Sequence, residues 1–270
     1  MKPNHGRDWM VHSKGSDNIE AIEAYFAGHA YDLHRHDTYA IGQTFAGVQS
    51  FRYRGARRDN LPGSVMVLHP DELHDGHAGS EQGFLYRMVY IEPALIQQVL
   101  PGQSLPFIPG GISQDSRLIN ATHALLGTFD SPLESLEKAD ALYDLALALN
   151  AVSGAATPCG ALDYAAAERA REFIHHNLDR AVTVEQLSAH ANRDRWGLSR
   201  DFRQVFGTSP HRYLIMRRLD RVKQALIGGQ TLVEASLTAG FYDQSHMSRH
   251  FIQAFGLSAN RWKKMISQTI

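Results

Sequence analysis

The chain has 270 residues, of which 43% are apolar and 20% charged, which is enough for two globular domains with their own cores. This composition excludes a disordered chain, and the lack of a run of about 18 apolar residues excludes a membrane-spanning helix. The first 18 residues lack the apolar stretch of a signal peptide, so a cytoplasmic protein without membrane contact is expected. The single cysteine, Cys159, excludes an intrachain disulfide and a multi-cysteine zinc site.

The formal net charge of -1 hides a difference between the two parts of the chain. Residues 161–270 carry 16 Lys and Arg against 10 Asp and Glu, a net charge of +6. Residues 1–160 carry 11 against 18, a net charge of -7. Because phosphates attract a basic surface, the C-terminal part is predicted to face nucleic acid, and the acidic part to serve another purpose.

The first part of the chain is typical of short β-strands separated by turns. β-type runs occur in YAIGQTFAGVQSFRYRG, residues 39–55, and in GFLYRMVYIEP, residues 83–93. Glycines and prolines separate these runs at the spacing of a small antiparallel barrel or sandwich. Residues 1–112 are therefore predicted to form a β domain.

Helical periodicity begins near residue 113, and one helix carries a stripe of leucines. Helices of this kind either cover the β domain or pair with a second chain, since an exposed leucine stripe invites an antiparallel partner. Pairing is slightly favoured, so residues 113–150 are predicted to be a helical dimerisation segment of a homodimer. The stripe consists of Leu136, Leu142, Leu145 and Leu149.

Residues 151–162 are small, without periodicity, and are predicted to be an interdomain linker. From residue 163 to residue 270 every segment has a helical pattern, with Gly, Asn and Asp at the breaks where caps and turns are needed. The sequence thus predicts an α+β multidomain protein, with a β-barrel before an all-α domain.

The helical domain contains an internal repeat. The two copies superimpose with an offset of 49 residues: residues 192–210, NRDRWGLSRDFRQVFGTSP, match residues 241–259. Each copy follows a short helix and a turn residue, Asn192 or Gly240, that tolerates a left-handed backbone. An aspartate then caps the next helix, Asp194 or Asp243. Each unit therefore has the pattern of a helix-turn-helix.

In the second helix of each unit, one side is apolar and the other carries polar residues suited to the major groove of DNA. Arginine can bind guanine O6 and N7, glutamine can pair with adenine, and serine or an apolar ring can contact a thymine methyl group. One such helix alone would be interpreted as a solvated surface, but two copies favour DNA binding. The predicted DNA-binding residues are Arg195, Trp196, Ser199, Arg200 and Arg203 in the first unit, and Gln244, Ser245, Ser248 and Arg249 in the second.

Residues of about 164–265 resemble the DNA-binding domain of AraC/XylS-type transcription regulators, and AGFYDQSHMSRHFIQAFGLS is the most specific part of the match. The resemblance implies a linking helix over residues 210–227 and two second helices that read adjacent major-groove segments. It also implies promoter or operator DNA and RNA polymerase as partners. The chain departs from the usual pattern at Ala259, where the family has Pro, and at Arg193, where it has an apolar residue.

HRHDTY, residues 34–39, and LPGSVMVLHPDELHDGH, residues 61–77, resemble the cupin-like sensor domain that precedes this DNA-binding domain in many such regulators. The resemblance covers about residues 20–110 and implies an effector site in the barrel mouth, for a small organic molecule with polar or anionic groups. Its walls would include Phe45, Met66 and Leu68. The predicted effector contacts are His34, His36, Tyr39 and His74.

A metal at these histidines is disfavoured on sequence grounds. His34 and His36 are two residues apart and point to the same side of a strand, and His74 from a neighbouring strand would complete a triad. Metal-using cupins add a Glu shortly after the second His, whereas this chain has AIGQ there, and Gln43 is a poor substitute. No metal or other cofactor is therefore expected.

The leading hypothesis is a sequence-specific transcription regulator, most simply an activator, controlled by a small-molecule effector in the N-terminal domain. Two alternatives remain: a cupin-type metal-dependent enzyme with a DNA-binding appendage, and a ligand-independent DNA-binding regulator. Catalysis is not expected, because the chain has no nucleophile motif and no glycine-rich phosphate loop.

Overall fold

A computed structural model describes residues 7–13, 19–129, 133–154 and 162–267. Most of the predicted linker, with Cys159, lies outside these ranges, and the predicted domain limits stay predictions. Within the described ranges, no helix is long and apolar enough to cross a membrane. The predicted order of a β domain followed by a helical domain is confirmed.

The β domain consists of two antiparallel sheets. A six-stranded sheet has the order β1-β2-β9-β4-β7-β10, and a four-stranded sheet has the order β3-β8-β5-β6. The strands are β1 (Trp9–His12), β2 (Ile19–Phe26), β3 (His29–His34), β4 (Tyr39–Gly47), β5 (Gln49–Tyr53), β6 (Ala56–Asn60), β7 (Val65–Leu68), β8 (His74–Ala78), β9 (Phe84–Ile91) and β10 (Ile112–Ser113).

Ten helices follow or flank the strands in the described part of the chain. They are α1 (Pro93–Val99), α2 (Ser116–Leu126), α3 (Ser135–Ser153), α4 (Tyr164–His176), α5 (Val184–Ala191), α6 (Arg195–Phe206), α7 (Pro210–Ile227), α8 (Leu232–Thr238), α9 (Gln244–Phe255) and α10 (Ala259–Ser267). The predicted linking helix coincides with α7.

The larger sheet is buried on both faces, which is why its strands are apolar at consecutive positions as well as alternate ones. One face, with Ile41 and Val89, packs against α1, α2 and α3. Leu145 and Leu149 are fully buried in this layer, and Leu142 packs against it. The prediction that the leucine stripe is an exposed dimer surface is therefore wrong for these residues, because their side of α3 covers the sheet; Leu136 alone of the four is exposed.

The other face of the larger sheet shares a core with the C-terminal half of the helical domain. Phe84 and Met88 of β9 belong to the same cluster of buried side chains as Leu219 of α7, Phe251 of α9 and Trp262 of α10. The first repeat unit has a separate core, formed by α4 to α7. Since the second unit and the β domain are joined by a continuous apolar core, they are not independent bodies tethered only by a linker.

Candidate functional site

The two repeat units form the helix-turn-helix geometry that the sequence predicts. Asn192 has φ 49° and Gly240 has φ 88°, so each unit turns through a left-handed residue. The Asp194 carboxylate accepts hydrogen bonds from the backbone N–H groups of Trp196 and Gly197 at the start of α6. The Asp243 carboxylate caps α9 by accepting one from the N–H of His246. These caps fix where α6 and α9, here called the recognition helices, begin.

The predicted DNA-binding residues lie on the outer side of the recognition helices, and none of the nine is buried. The Trp196 side chain is 71% exposed, and the guanidinium of Arg195 stacks over its ring at 4.4 Å. Arg200 and Arg249 are exposed, one on each recognition helix. Arg203 folds back along α6, where its Nη1 donates to the backbone oxygen of Ser199 at 3.1 Å. The geometry leaves the polar sides of α6 and α9 free to meet DNA.

Sequence reasoning missed Asp201, a fully buried carboxylate on the core side of α6. The guanidinium of Arg193 donates to Asp201 Oδ2, with N–O distances of 2.9 and 3.0 Å. Arg193, which stands where the family has an apolar residue, is therefore accommodated by an ion pair with a buried carboxylate. The signal was visible in the sequence as an aspartate three residues after Leu198 and four before Val205, which places it on the apolar side of the helix.

The C-terminal end of each recognition helix contacts the β domain. Asp32 and Arg35, at the edge of the smaller sheet, donate backbone hydrogen bonds to Gly256 O at 2.7 Å and Gln253 O at 3.1 Å. These carbonyls are among those that an α-helix leaves without an internal partner. At the end of α6, Gly207 lies against Pro70. The β domain therefore restrains both helices that are predicted to read DNA.

A cavity lies between the β domain and the second repeat unit. Its volume is about 100 Å³, and it is lined by strands of both sheets together with α7, α9 and α10. Among the predicted contacts, His34, His36 and His74 line it, whereas Tyr39 does not. The Tyr39 hydroxyl instead donates to Pro106 O, 2.8 Å away on the other side of the larger sheet. The placement of Tyr39 with the histidines is wrong because its side chain lies on the same face of the larger sheet as Ile41, the face that packs against α1, α2 and α3.

The predicted apolar walls are only partly as expected. Met66 and Leu68 line the cavity, but Phe45 is 44% exposed and stacks against Arg87. Gln43 donates its amide to Ile119 O and does not approach the histidines. The walls that sequence reasoning missed come from the helical domain and include Met216, Ala254, Leu257 and Trp262.

The three histidines form a tight cluster. The ring centroids of His34 and His74 are 4.2 Å apart, and those of His36 and His74 are 4.8 Å apart. Burial lowers the pKa of His34 and His36 well below the usual range and that of His74 to about 4. The neighbouring imidazoles lower the pKa of His34 and His36 further, so all three rings are neutral at pH 7.

Ion pairs join α7 to the β domain around the cavity. Arg217 Nη1 lies 2.8 Å from Glu92 Oε1, and its Nη2 lies 3.1 Å from Asp37 Oδ2. Lys223 Nζ lies 2.6 Å from Glu20 Oε2. Formal charges lining the cavity therefore include more carboxylates than cations, and the excess is two. The carboxylates are those of Glu20, Asp37, Asp75 and Asp220, and the cations are Arg217 and Lys223.

The Asp37→Asn variant tests this charge balance through pH. Burial raises the pKa of Asp37 from 3.8 to about 6; Arg217 opposes this rise, and the carboxylates of Asp220 and Glu92 add to it. The folded wild type therefore holds this proton more tightly than the unfolded chain does, and the associated stability, present below pH 3.8, is lost as the pH rises through 6. An asparagine side chain does not titrate, so the stability of the variant relative to wild type is expected to rise by roughly 2 kcal/mol between pH 4 and 7.

Urea unfolding at several pH values measures this difference for Asp37→Asn. Asp140→Asn, an exposed position on α3, is the matched control and should show no such trend. A stability difference between Asp37→Asn and wild type that stays constant from pH 4 to pH 7 would contradict the raised pKa.

Together, two recognition helices with accessible polar sides and a β domain that borders a cavity define a DNA-binding protein with an attached ligand-binding domain. Residues 18–146 match the family of the AraC-like ligand binding domain, and residues 187–265 match a helix-turn-helix domain. The chain belongs to the AraC family of transcription regulators and carries both its ligand-binding and its DNA-binding domain.

Relatives and solved structures agree with this assignment. An uncharacterized HTH-type transcriptional regulator of Bacillus subtilis, YbfI, is 23% identical over 84% of this chain and 86% of its own. The lactose operon transcription activator of Staphylococcus xylosus is 31% identical over 37% of this chain and 36% of its own length. ToxT from Vibrio cholerae has the same fold, with a TM-score of 0.67 and 10% identity over 93% of this chain and 98% of that one.

Proposed function

We propose that this protein is a ligand-controlled regulator in which an effector binds the cavity between the domains and alters how α6 and α9 meet DNA. The observation that carries this proposal is the lining of the cavity, which comes from the β domain and from α7, α9 and α10 together. A ligand there touches the recognition unit as well as the sensor. The nine residues of α6 and α9 named above, none of them buried, are the proposed DNA contacts.

A coupling mechanism follows from the contacts of α9. Its C-terminal carbonyls accept hydrogen bonds from β3 and from the residue that follows β3, and His34 at the end of β3 lines the cavity. A ligand that moves this strand end therefore moves the restraint on α9. For the equilibrium between restrained and released α9 to shift, the ligand must bind the two states with different affinity.

The cavity also limits the class of effector. At about 100 Å³ it is smaller than the 150 Å³ cavity that takes benzene in an engineered protein, so it accommodates only a few non-hydrogen atoms without expanding. Its excess of carboxylates favours a neutral or cationic ligand over an anion. A structure of ToxT, with a TM-score of 0.64 over 99% of both chains, contains an unsaturated fatty acid. In this protein both cations that line the cavity, Arg217 and Lys223, are already paired with carboxylates.

A thermal-shift screen against small metabolites, followed by DNA-binding measurements with each hit, tests the proposal. A hit is expected to raise the melting temperature of wild type and to change its affinity for operator DNA. Ala254→Met fills the cavity from α9 and should abolish both effects. Ile252→Met, which adds no bulk to the cavity, should preserve them. Hits that act equally on Ala254→Met, or that never alter DNA binding, would contradict a regulatory cavity.

A homodimer, promoter activation and contact with RNA polymerase complete the proposed function. The side of α3 opposite the sheet carries three exposed apolar side chains, Leu136, Tyr143 and Leu147, which a second copy of α3 would cover. Activation is proposed because 37% of this chain is similar to part of a named operon activator. Transcription from a bound promoter, with and without the protein and an effector, separates activation from repression.

A further inference from the structure

The imidazole rings of His34, His36 and His74 cluster at the wall of the cavity. His34 ends β3, His74 begins β8, and the two are paired across the strands. One ring nitrogen of each histidine lies within 4.8 Å of those of the other two. The three side chains are 2–7% exposed, so bulk water does not hydrate them freely.

Hydrogen bonds fix which nitrogen of each ring carries the proton. In all three histidines Nδ1 lies 2.8–2.9 Å from a backbone carbonyl oxygen, and a carbonyl can only accept. Each Nδ1 is therefore the N–H of a neutral imidazole, which leaves Nε2 as a lone pair. The accepting carbonyls belong to Asp32, Thr38 and Glu72.

Three buried lone pairs in so small a cluster are stabilised by a donor or a cation between them. Within the described residues, no hydrogen bond reaches the Nε2 atom of any of the three rings. Metal-binding histidines commonly donate the N–H of one ring nitrogen to a backbone carbonyl and bind the metal through the other nitrogen. The carbonyl fixes both the tautomer and the orientation of the ring. The excess of carboxylates around the cavity adds a potential that favours a cation.

We propose that His34, His36 and His74 bind a divalent transition metal through their Nε2 atoms, with a coordination position left open toward the cavity. Three imidazoles and one open position suit tetrahedral zinc best. The missing carboxylate, which argued against a metal on sequence grounds, is not needed for such a set. Zinc–nitrogen bonds of about 2.0–2.1 Å place the nitrogens roughly 3.4 Å apart, so small ring movements close the present spacing.

The metal site adds to the proposed function, since an effector with a donor atom can occupy the open coordination position of the metal. Its binding nevertheless requires neither DNA nor effector. The two proposals therefore fail separately: a protein that binds metal and no DNA refutes only the regulator, and the reverse outcome refutes only the metal.

Titration of untagged, chelator-treated full-length protein with Co²⁺ tests the metal site by visible absorption, with Zn²⁺ as competitor. One Co²⁺ per chain is expected, with the absorption bands of a tetrahedral site that Zn²⁺ abolishes. His34→Gln and His74→Gln should each weaken binding by at least 10–100-fold, the loss typical even of residues behind the ligands. His29→Gln, an exposed histidine on β3, is the control and should bind Co²⁺ as wild type does.

X-ray absorption of the Zn²⁺-loaded wild type provides a second readout that needs no variant. Three imidazoles in the zinc coordination shell would support the site even if a glutamine variant failed to fold. The proposal is overturned if wild type gives no tetrahedral Co²⁺ spectrum, if His74→Gln binds as tightly as wild type, or if the zinc shell holds fewer than three imidazoles.

Discussion

The double variant Arg200→Ala/Arg249→Ala is expected to lose its preference for operator DNA while it retains salt-dependent binding to any sequence. Each arginine is exposed on a different recognition helix, and removing a bidentate guanine contact costs about 1–3 kcal/mol of base discrimination. Two such losses lower the preference by roughly 30-fold to 10⁴-fold when they add. Background binding persists because other cations of the basic domain still meet phosphates.

Fluorescence anisotropy with DNA from upstream of the gene and its neighbours, across a salt series and against scrambled competitor, measures this preference. Arg57→Ala/Arg58→Ala removes two exposed arginines from β6 and should leave the preference intact. If instead the Arg200/Arg249 variant loses affinity for every fragment alike and its salt slope falls, the two arginines bind phosphates and do not read bases.

Arg217→Met is expected to lower the free energy of unfolding by about 3–5 kcal/mol, the usual cost of removing one partner from a buried ion pair. The Arg217 side chain is 13% exposed and bridges Asp37 and Glu92, whose side chains are 3% and 12% exposed. Both carboxylates belong to the β domain, whereas Arg217 belongs to α7. The substitution therefore leaves buried negative charge at the contact that holds the domains together.

Urea unfolding and limited proteolysis measure this loss. Arg221→Met lies four residues later on α7 at an exposed position and should behave as wild type. Adding Asp37→Asn and Glu92→Gln to Arg217→Met removes the unpaired charges and should restore most of the lost stability. Equal unfolding midpoints for Arg217→Met and Arg221→Met would show that the network does not hold the domains.

Local features of the helical domain could be predicted from sequence because their causes are local. A left-handed residue at Asn192, a capping carboxylate at Asp194 and apolar spacing along α6 fix a helix-turn-helix without reference to the rest of the chain. The exposure of Arg200 and Arg249 follows from the same periodicity. The DNA-binding side of the protein was therefore accessible to sequence reasoning.

Packing between distant segments was not accessible in this way. The leucine pattern of α3 marks an apolar side but does not say whether a second chain or the protein's own sheet covers it; Leu145 and Leu149 cover the sheet. Likewise, the pattern of α7 marks Leu219 as buried without showing that it joins the core of the β domain. The helical wall of the cavity escaped prediction for the same reason, since α7, α9 and α10 are far from the strands in sequence, whereas the wall from the β domain, with His34, His74 and Met66, was predicted.

Hydroxyl-radical footprinting of the full-length protein on a preferred fragment tests most directly the claim that one chain reads DNA with two helices. Each chain is expected to protect two segments on one side of the duplex, about one helical turn or roughly 34 Å apart. Arg200→Ala should weaken protection at one segment and Arg249→Ala at the other. A single protected segment, unaffected by either substitution, would contradict the claim.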